Sequence, residues 1–197
     1  MKKIVLATHN KDKAREMREA LTGSGWELVA AFDLPGVPEV VEDGATLEEN
    51  SFKKADALRR FSGWSALADD TGLFVDALNG EPGIFAARYA GDHCTYSDNV
   101  RKLLKAMAGV PAPDRGAVFR TVITILHPDG GKDQVIGEVR GAIEEVERGS
   151  TGFGYDPVFR PVGSDKVFAE MSLEEKNRIS HRGLALQKAL EALKGRK

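Results

Sequence analysis

The sequence predicts an α/β fold built on a mixed β-sheet flanked by helices, and three observations predict it. Short unbroken apolar runs, at Ile4–Ala7 and Ser65–Ala68, read as strands buried on both faces. Helical spacings separate those runs. The later half carries a long β-branched segment that turns and returns as a hairpin. Strands alternating with helices early and then a long hairpin argue a mixed-sheet α/β domain.

The elements follow in order. Ile4–Ala7 ends at Thr8-His9-Asn10, and Ala14, Met17 and Leu21 set a helix over Lys11–Leu21 that Gly23 and Gly25 stop. Trp26–Phe32 reads as a second strand. Pro35, Gly36 and Pro38 mark a loop running to Glu42-Asp43-Gly44. Thr46-Leu47-Glu48-Glu49 spells a capping box, with Thr46 accepting from the Glu49 amide while Glu49 reaches back. The helix it opens runs to about Phe61. Ser65–Ala68 ends at Asp69-Asp70-Thr71-Gly72. Thr95 and Asp98 cap a helix carrying Val100, Leu103, Leu104 and Met107, closed by Pro111 and Pro113. Val118–Leu126 turns through His127-Pro128-Asp129-Gly130-Gly131 and returns over Gln134–Val146. Gly149–Asp156 is a glycine-rich loop. Ser172 and Glu175 form another capping box, and Ile179, Leu186, Leu190 and Leu193 carry the last helical stripe. Ser180 reads as a fresh N-cap within that stretch, which puts His181 and Arg182 at a helix start.

Composition bounds the function classes. The 197 residues suit one domain, 1–197, with 42% hydrophobic and 29% charged side chains, close to the globular average. Basic and acidic side chains number 28 and 30, so no broad footprint for nucleic acid is expected. The apolar run at Ile4–Ala7 is too short for a signal core or a membrane span. Cys94 is the single cysteine and is expected to be an inert thiol, which fits a reducing cytoplasm.

Four places carry chemistry. Thr8-His9-Asn10-Lys11-Asp12-Lys13 joins a strand's carboxyl end to a helix start, where free amides suit an anion; an ordinary N-cap loop is the alternative. No G-x-x-x-x-G-K-[ST] loop occurs. The acidic segments Glu42-Asp43 and Asp69-Asp70 offer hard oxygens for Mg²⁺ and a carboxylate able to take a proton from water, or else a solvated acidic turn. Lys54 falls on the apolar stripe of its helix with Asn50 one turn before it, so it either snorkels or meets an anion such as a phosphate. Finally, glycines flank Phe153 in Thr151-Gly152-Phe153-Gly154-Tyr155-Asp156, and Lys176 accompanies Ser180-His181-Arg182-Gly183. Phe153 can stack on a base or simply fill a gap.

Taken together these segments resemble the inosine/xanthosine triphosphate pyrophosphatases, also called dITP/XTP pyrophosphatases. The match runs from Leu6-Ala7-Thr8-x-Asn10 through Glu48-Glu49-Asn50-Ser51, Leu67-Ala68-Asp69-Asp70-Thr71-Gly72-Leu73, Pro82-Gly83-Ile84, Ala87-Arg88-Tyr89 and Gly152-Phe153-Gly154-Tyr155-Asp156-Pro157. It ends at Glu175-Lys176 and Ile179-Ser180-His181-Arg182-Gly183. The resemblance implies an elongated mixed sheet with two lobes, a nucleotide cleft between them, and a homodimer.

By motif position it implies that Thr8, His9, Asn10, Lys11, Asp12 and Lys13 bind substrate phosphates with Lys54 beside them. Glu42 and Asp70 would hold Mg²⁺ with Asp69 in the same cluster, and Asp70 would be the base. Thr71, Phe153, Gly154, Tyr155, Asp156, Lys176, His181 and Arg182 would contact the nucleotide. His9 stands where glycine is frequent, and Thr71 where serine is usual. The implied reaction is hydrolysis of a deaminated purine nucleoside triphosphate (ITP, dITP or XTP) to its monophosphate and pyrophosphate. Two rivals remain: an aspartic protease, from Asp70-Thr71-Gly72, and a nucleotide sensor that binds without turnover.

Overall fold

The computed structural model describes residues 2–195. Met1, Arg196 and Lys197, which the expected 1–197 domain includes, lie outside them. Among the described residues the chain forms β1 (Lys2–Leu6), α1 (Lys11–Leu21), β2 (Trp26–Ala30), α2 (Leu47–Ser62), β3 (Ser65–Val75), β4 (Pro82–Gly83) and α3 (Tyr96–Ala106). It continues with β5 (Gly116–Leu126), β6 (Lys132–Ile143), β7 (Phe159–Pro161), α4 (Leu173–Ile179) and α5 (His181–Lys194). The strands form one sheet in the order β2-β1-β3-β5-β6-β7, with β4 beside β3. β1 is parallel to both β2 and β3, while β4 and β7 pair antiparallel. The sheet is mixed and helix-flanked, as the sequence predicts. No all-β protease has such helices.

By packing the chain divides into two units. The first holds the residues up to Asp70, Thr121–Gly137 and the segment from Arg182 onward. Its centre is β1, buried on both faces. Ile4 and Leu6 pack with Ala14, Met17 and Leu21 of α1 and with Leu186 and Leu193 of α5. Val5 and Ala7 pack on the other face with Ala55 and Leu58 of α2. Successive side chains on a strand point to opposite faces, so an unbroken apolar run is what this position requires. The second unit holds Thr71–Arg120 and Glu138–His181. Its core joins Val100 and Leu103 of α3, and Met107 that caps it, to Phe119, Phe159 and Phe168. Buried Arg115 ties it together by donating to the carbonyls of Met107, Ile143 and Glu144.

Several expectations are corrected. β3 does not stop at Ala68: it runs through Asp69-Asp70-Thr71-Gly72 to Val75, because both carboxylates find cations at their faces and can remain inside the sheet. β2 ends at Ala30, where a 3₁₀ turn over Ala31–Asp33 replaces its expected last residues. β6 runs over Lys132–Ile143, not to Val146. Glu49 reaches back to the amide of Ala45 rather than that of Thr46, although Thr46 caps the Glu49 amide as expected. The capping boxes at Thr95/Asp98 and Ser172/Glu175 form fully. Ser180 is extended and ends α4, and α5 begins at His181. Ile179 ends α4 exposed and takes no part in the inward stripe.

Candidate active site

The chain's first two crossovers pack on opposite faces of the sheet, α1 between β1 and β2 on one and α2 between β2 and β3 on the other. Ligands of open α/β sheets collect at such a switch point, outside the carboxyl ends of the strands. β1 stops at Leu6, and the Ala7 amide donates to Leu67 of β3. Asp69 and Asp70 are therefore mid-strand within β3 and yet lie just past the end of its neighbour. That is where the charged groups gather.

Alternation along β3 sends its two aspartates apart. Leu67 packs on the α1/α5 face and Ala66 and Ala68 on the α2 face, so Asp69 follows Leu67 and Asp70 follows Ala68. Asp69, 1% exposed, accepts from Lys13 Nζ at 3.0 Å and Arg182 Nε at 3.4 Å. Arg182 also donates from Nη1 to Glu16 Oε2 of α1 at 2.5 Å. On the other face Lys54 of α2 bridges Asp70 Oδ1 at 3.0 Å and Glu42 Oε2 at 2.8 Å. The adjacent carboxylates thus avoid repulsion by facing different cations.

Lys54 does not snorkel. It is buried between two carboxylates, so the anion it meets within the protein is Glu42 with Asp70. The loop that brings Glu42 there is fastened rung by rung to α2. Ala45 N donates to Glu49 Oε2, Gly44 N to Asn50 Oδ1, and Lys53 Nζ to Asp43 Oδ1, with Lys54 to Glu42 as the innermost rung. A Cβ on Gly44 would lie 2.6 Å from Asn50 Oδ1, so that rung demands glycine.

The two aspartates differ electrostatically. Burial works against ionisation of Asp69, but Lys13, Arg182 and Lys54 outweigh it and hold the carboxyl well below its ordinary range. Burial raises Asp70, and the nearby Glu42 adds to it; Lys54 and Lys13 only partly offset them, so Asp70 is pushed up. Burial also opposes ionisation of Glu42, yet the charges of Lys54 and Lys13 and the hydrogen bond from Lys54 draw it down. Lys54 is buried, which would lower it, but Asp70, Glu42 and Asp69 hold its proton more tightly than usual. Two neighbouring carboxyls pushed in opposite directions mark one as a permanent anion and the other as the proton acceptor.

Whether the residues fit a divalent cation can be judged from the donors. Asp70 Oδ2 is buried and accepts no hydrogen bond, an oxygen whose lone pairs lack a partner. Glu42 contributes a second hard oxygen beside it. Among the described residues no group of three or more potential ligands forms a ready cage. One or two carboxylates completed by substrate phosphates is the usual arrangement for Mg²⁺. The set fits.

The Thr8–Lys13 turn is organised differently from an anion cradle. Asn10 is the N-cap of α1 and its Oδ1 accepts from the amides of Asp12 and Lys13, so the segment forms the N-cap loop that the sequence offers beside the anion site. Thr8 is buried and its Oγ1 accepts from the Asn10 amide. His9 and Lys11 are exposed, and Asp12 pairs with Arg15. Of this segment, Lys13 is the residue brought onto the acidic cluster.

The second unit has its own group. Asp156 Oδ2 accepts from Lys176 Nζ at 2.7 Å and from the Phe153 amide at 2.9 Å. Lys176 Nζ also lies 4.7 Å from the centre of the Phe153 ring, a cation–π distance. Gly152 has φ +78°, and a Cβ there would sit 2.1 Å from Asp156 Oδ2. The glycine is what lets the loop fold onto Asp156. Gly154, at φ +64°, faces open space. Tyr155 lies beneath the loop in the core with its hydroxyl donating to the Ala86 carbonyl, and burial pushes that phenol up. His181 is buried and stacks on Phe119 at 4.3 Å. Thr71, on β3, is half-buried.

Sequence reasoning missed Glu16 and Tyr96. Glu16 is 2% exposed and anchors Arg182; at 100° per residue it falls about 130° from the centre of the Ala14–Met17–Leu21 stripe, so helical periodicity gave no sign of its burial. The Tyr96 ring lies 5.8 Å from that of Phe153, and no spacing rule links those two positions.

Comparison with known proteins agrees. The model of the Ham1 family matches residues 4–192, across both units. The dITP/XTP pyrophosphatase of Desulforamulus reducens is 47% identical over 97% of this chain and 95% of its own. That of Geobacter sulfurreducens is 45% identical over 94% of each. Among solved structures, the Staphylococcus aureus Ham1 protein superposes with a TM-score of 0.88 at 37% identity, covering 100% of both chains. A HAM1 protein from Coxiella burnetii gives 0.89 at 37% identity, over 99% of this chain and 100% of that one. With a mixed sheet, a charged cluster at its switch point and these relatives along the full length, the chain belongs to the Ham1 family.

Proposed function

We propose that the chain is a nucleoside triphosphate pyrophosphatase that hydrolyses deaminated purine nucleoside triphosphates, ITP, dITP and XTP, to the monophosphate and pyrophosphate. The enzyme class is the one its curated relatives are named for. The observation that carries the reading is Asp70: a buried carboxylate with one oxygen held by Lys54 and the other without a partner, beside Glu42.

In this reading Asp70 takes the proton of a water molecule as its oxygen attacks the α-phosphorus. The bond from that phosphorus to the bridging oxygen breaks, and pyrophosphate departs with the electron pair. Glu42 and Asp70, with Asp69 in the same cluster, would hold Mg²⁺, which when bound neutralises phosphate charge. Lys13 and Lys54 orient the phosphates, and Asp69 keeps Lys13 in place. The turn Thr8, His9, Asn10, Lys11 and Asp12 lies along the phosphates. Thr71, Phe153, Gly154, Tyr155, Asp156, Lys176, His181 and Arg182 serve the nucleoside, with Phe153 offering its ring to the base. Positioning and electrostatics carry most of the rate in such transfers. The two units act as one functional domain in a homodimer, within the reducing cytoplasm that a single cysteine suits. No described helix is long and apolar enough to cross a membrane.

The test is a panel of nucleoside triphosphates with Mg²⁺, assayed for pyrophosphate. ITP, dITP and XTP should release it much faster than ATP or GTP. Tight binding of ITP with no release would make the chain a sensor and end the proposal.

A further inference from the structure

The first unit has a second place where chemistry gathers, at the opposite end of the same strands. Lys2 and Lys3 open β1, Trp26 opens β2 beside Lys2, and Trp64 precedes Ser65, the first residue of β3. These residues and His127 line a groove of about 590 Å³, within the range of small-molecule sites. From Lys3 to Thr8 the strand rises about 16 Å, so the groove is distinct from the acidic cluster.

Its lining is specific. The chain has two tryptophans, and both are here. Lys2 Nζ lies 5.7 Å from the centre of the Trp26 ring and Lys3 Nζ 4.9 Å from that of Trp64. Adjacent strand residues face opposite sides, so the groove straddles the sheet's end with one lysine–indole pair on each face. Two of its lining residues are hydrogen-bonded to each other, Ser65 Oγ and His127 Nδ1 at 3.0 Å, and His127 Nε2 lies 3.3 Å from Asp133 Oδ2 outside the lining. Indole faces accept flat rings, ammonium groups accept phosphate, and the two are within one groove. One acid, Asp129, also lines it and disfavours ligands more highly charged than two lysines can balance.

We propose that this groove is a second nucleotide site that takes a nucleoside monophosphate, its base on an indole face and its phosphate on an adjoining lysine ammonium group. The phosphate draws an ammonium away from its ring while the base covers that face. Both events alter indole emission, so the chain's own fluorescence reports this site.

The experiment is a titration of the intact protein with AMP, following tryptophan emission excited at the red edge of the indole band. Wild type should show a saturable change. The double variant Lys2→Gln/Lys3→Gln should need about tenfold more AMP or greater, as expected when charge-assisted phosphate contacts are lost. Its pyrophosphate release from ITP should be unchanged. Trp64→Phe and Trp26→Phe, measured singly, identify the indole that stacks. A change that does not saturate would overturn the proposal, as would one equally strong in the lysine variant or one reproduced in full by inorganic phosphate. None of these three results would touch the reading of the acidic cluster, which the ITP assay tests by itself.

Discussion

Each unit buries a lysine against an aspartate, and the two pairs do different things. In the second unit Lys176 and the Phe153 amide converge on the same oxygen of Asp156. The result is a clamp: one charge answers another, and a loop is held shut. In the first unit Lys54 is shared between Asp70 and Glu42, and Asp70 keeps an oxygen without a partner. Two carboxylates on one ammonium leave a surplus of negative charge, which the site can relieve with a proton or a cation. A buried ion pair is weak support for stability in either case. The difference lies in whether the charge balance is closed, and the open one is where chemistry is expected.

The largest effect should come from closing the open balance, by removing the charge of Asp70. Asp70→Asn should cut pyrophosphate release by about 10²–10⁴-fold or more, while thermal unfolding shows a folded protein. Substantial turnover in a folded Asp70→Asn variant would end the assignment of Asp70 as base.

Lys176→Met should act on folding instead. Breaking one side of a buried pair costs about 3–5 kcal/mol, read as a lower urea midpoint, and Mg²⁺ should not restore it. Full rescue by Mg²⁺ would erase the distinction between the pairs.

Lys54→Met should cost less, about 1–3 kcal/mol, because a proton on Asp70 can partly replace the ammonium. The sign with pH follows. Asp70 is raised in the fold, so the folded state binds its proton more tightly than the unfolded chain does. That stabilisation is complete below the unfolded value, about 4, and is lost as pH rises through the folded one. Without Lys54, burial of Asp70 and Glu42 and their mutual repulsion are less opposed, so the variant's Tm should fall more steeply than that of wild type over this window. Added Mg²⁺ should recover more Tm in the variant. Parallel pH curves for the two proteins would count against the shared-lysine arrangement.

The smallest effect separates two glycines of the clamp. Gly154→Ala adds only left-handed strain, about 1–2 kcal/mol, since its Cβ would meet open space. Gly152→Ala adds the same strain plus a clash with Asp156, and should have the lower midpoint and the larger rise in KM for ITP. Equal midpoints would mean the clamp yields.

Much of this was legible before the fold was seen. The apolar runs fixed β1 and the start of β3, and the capping residues at Thr46, Thr95 and Ser172 placed three helix starts, because these signals are local. Asp70, Glu42 and Lys54 were legible as chemistry, but their partnership was not. A charge on a helix's inner face announces that it must meet something; only the crossover of α2 over β1 and β3 decides that it meets Glu42 and Asp70. The length of β3 was misjudged for the same reason. Asp-Asp reads as a break in a strand until Lys13 and Arg182 on one face and Lys54 on the other make it tolerable. Glu16 went unnoticed because its partner, Arg182, is 166 positions away.

The rungs that fasten residues 42–45 to α2 bear on how the site responds to its surroundings. A loop held this way needs no ordering when a ligand arrives, so the conformational entropy of presenting Glu42 is lost at folding rather than at binding. The rungs are unequal. Lys53 and Asp43 are 42% and 69% exposed, whereas Lys54 is 11% exposed. Dissolved salt screens an outer rung far more than an inner one. Rising ionic strength should therefore fray the zipper from its wet edge, loosening the Glu42 segment while the sheet beneath it stays intact, and the enzyme would register salt through a loop long before it registered it as unfolding.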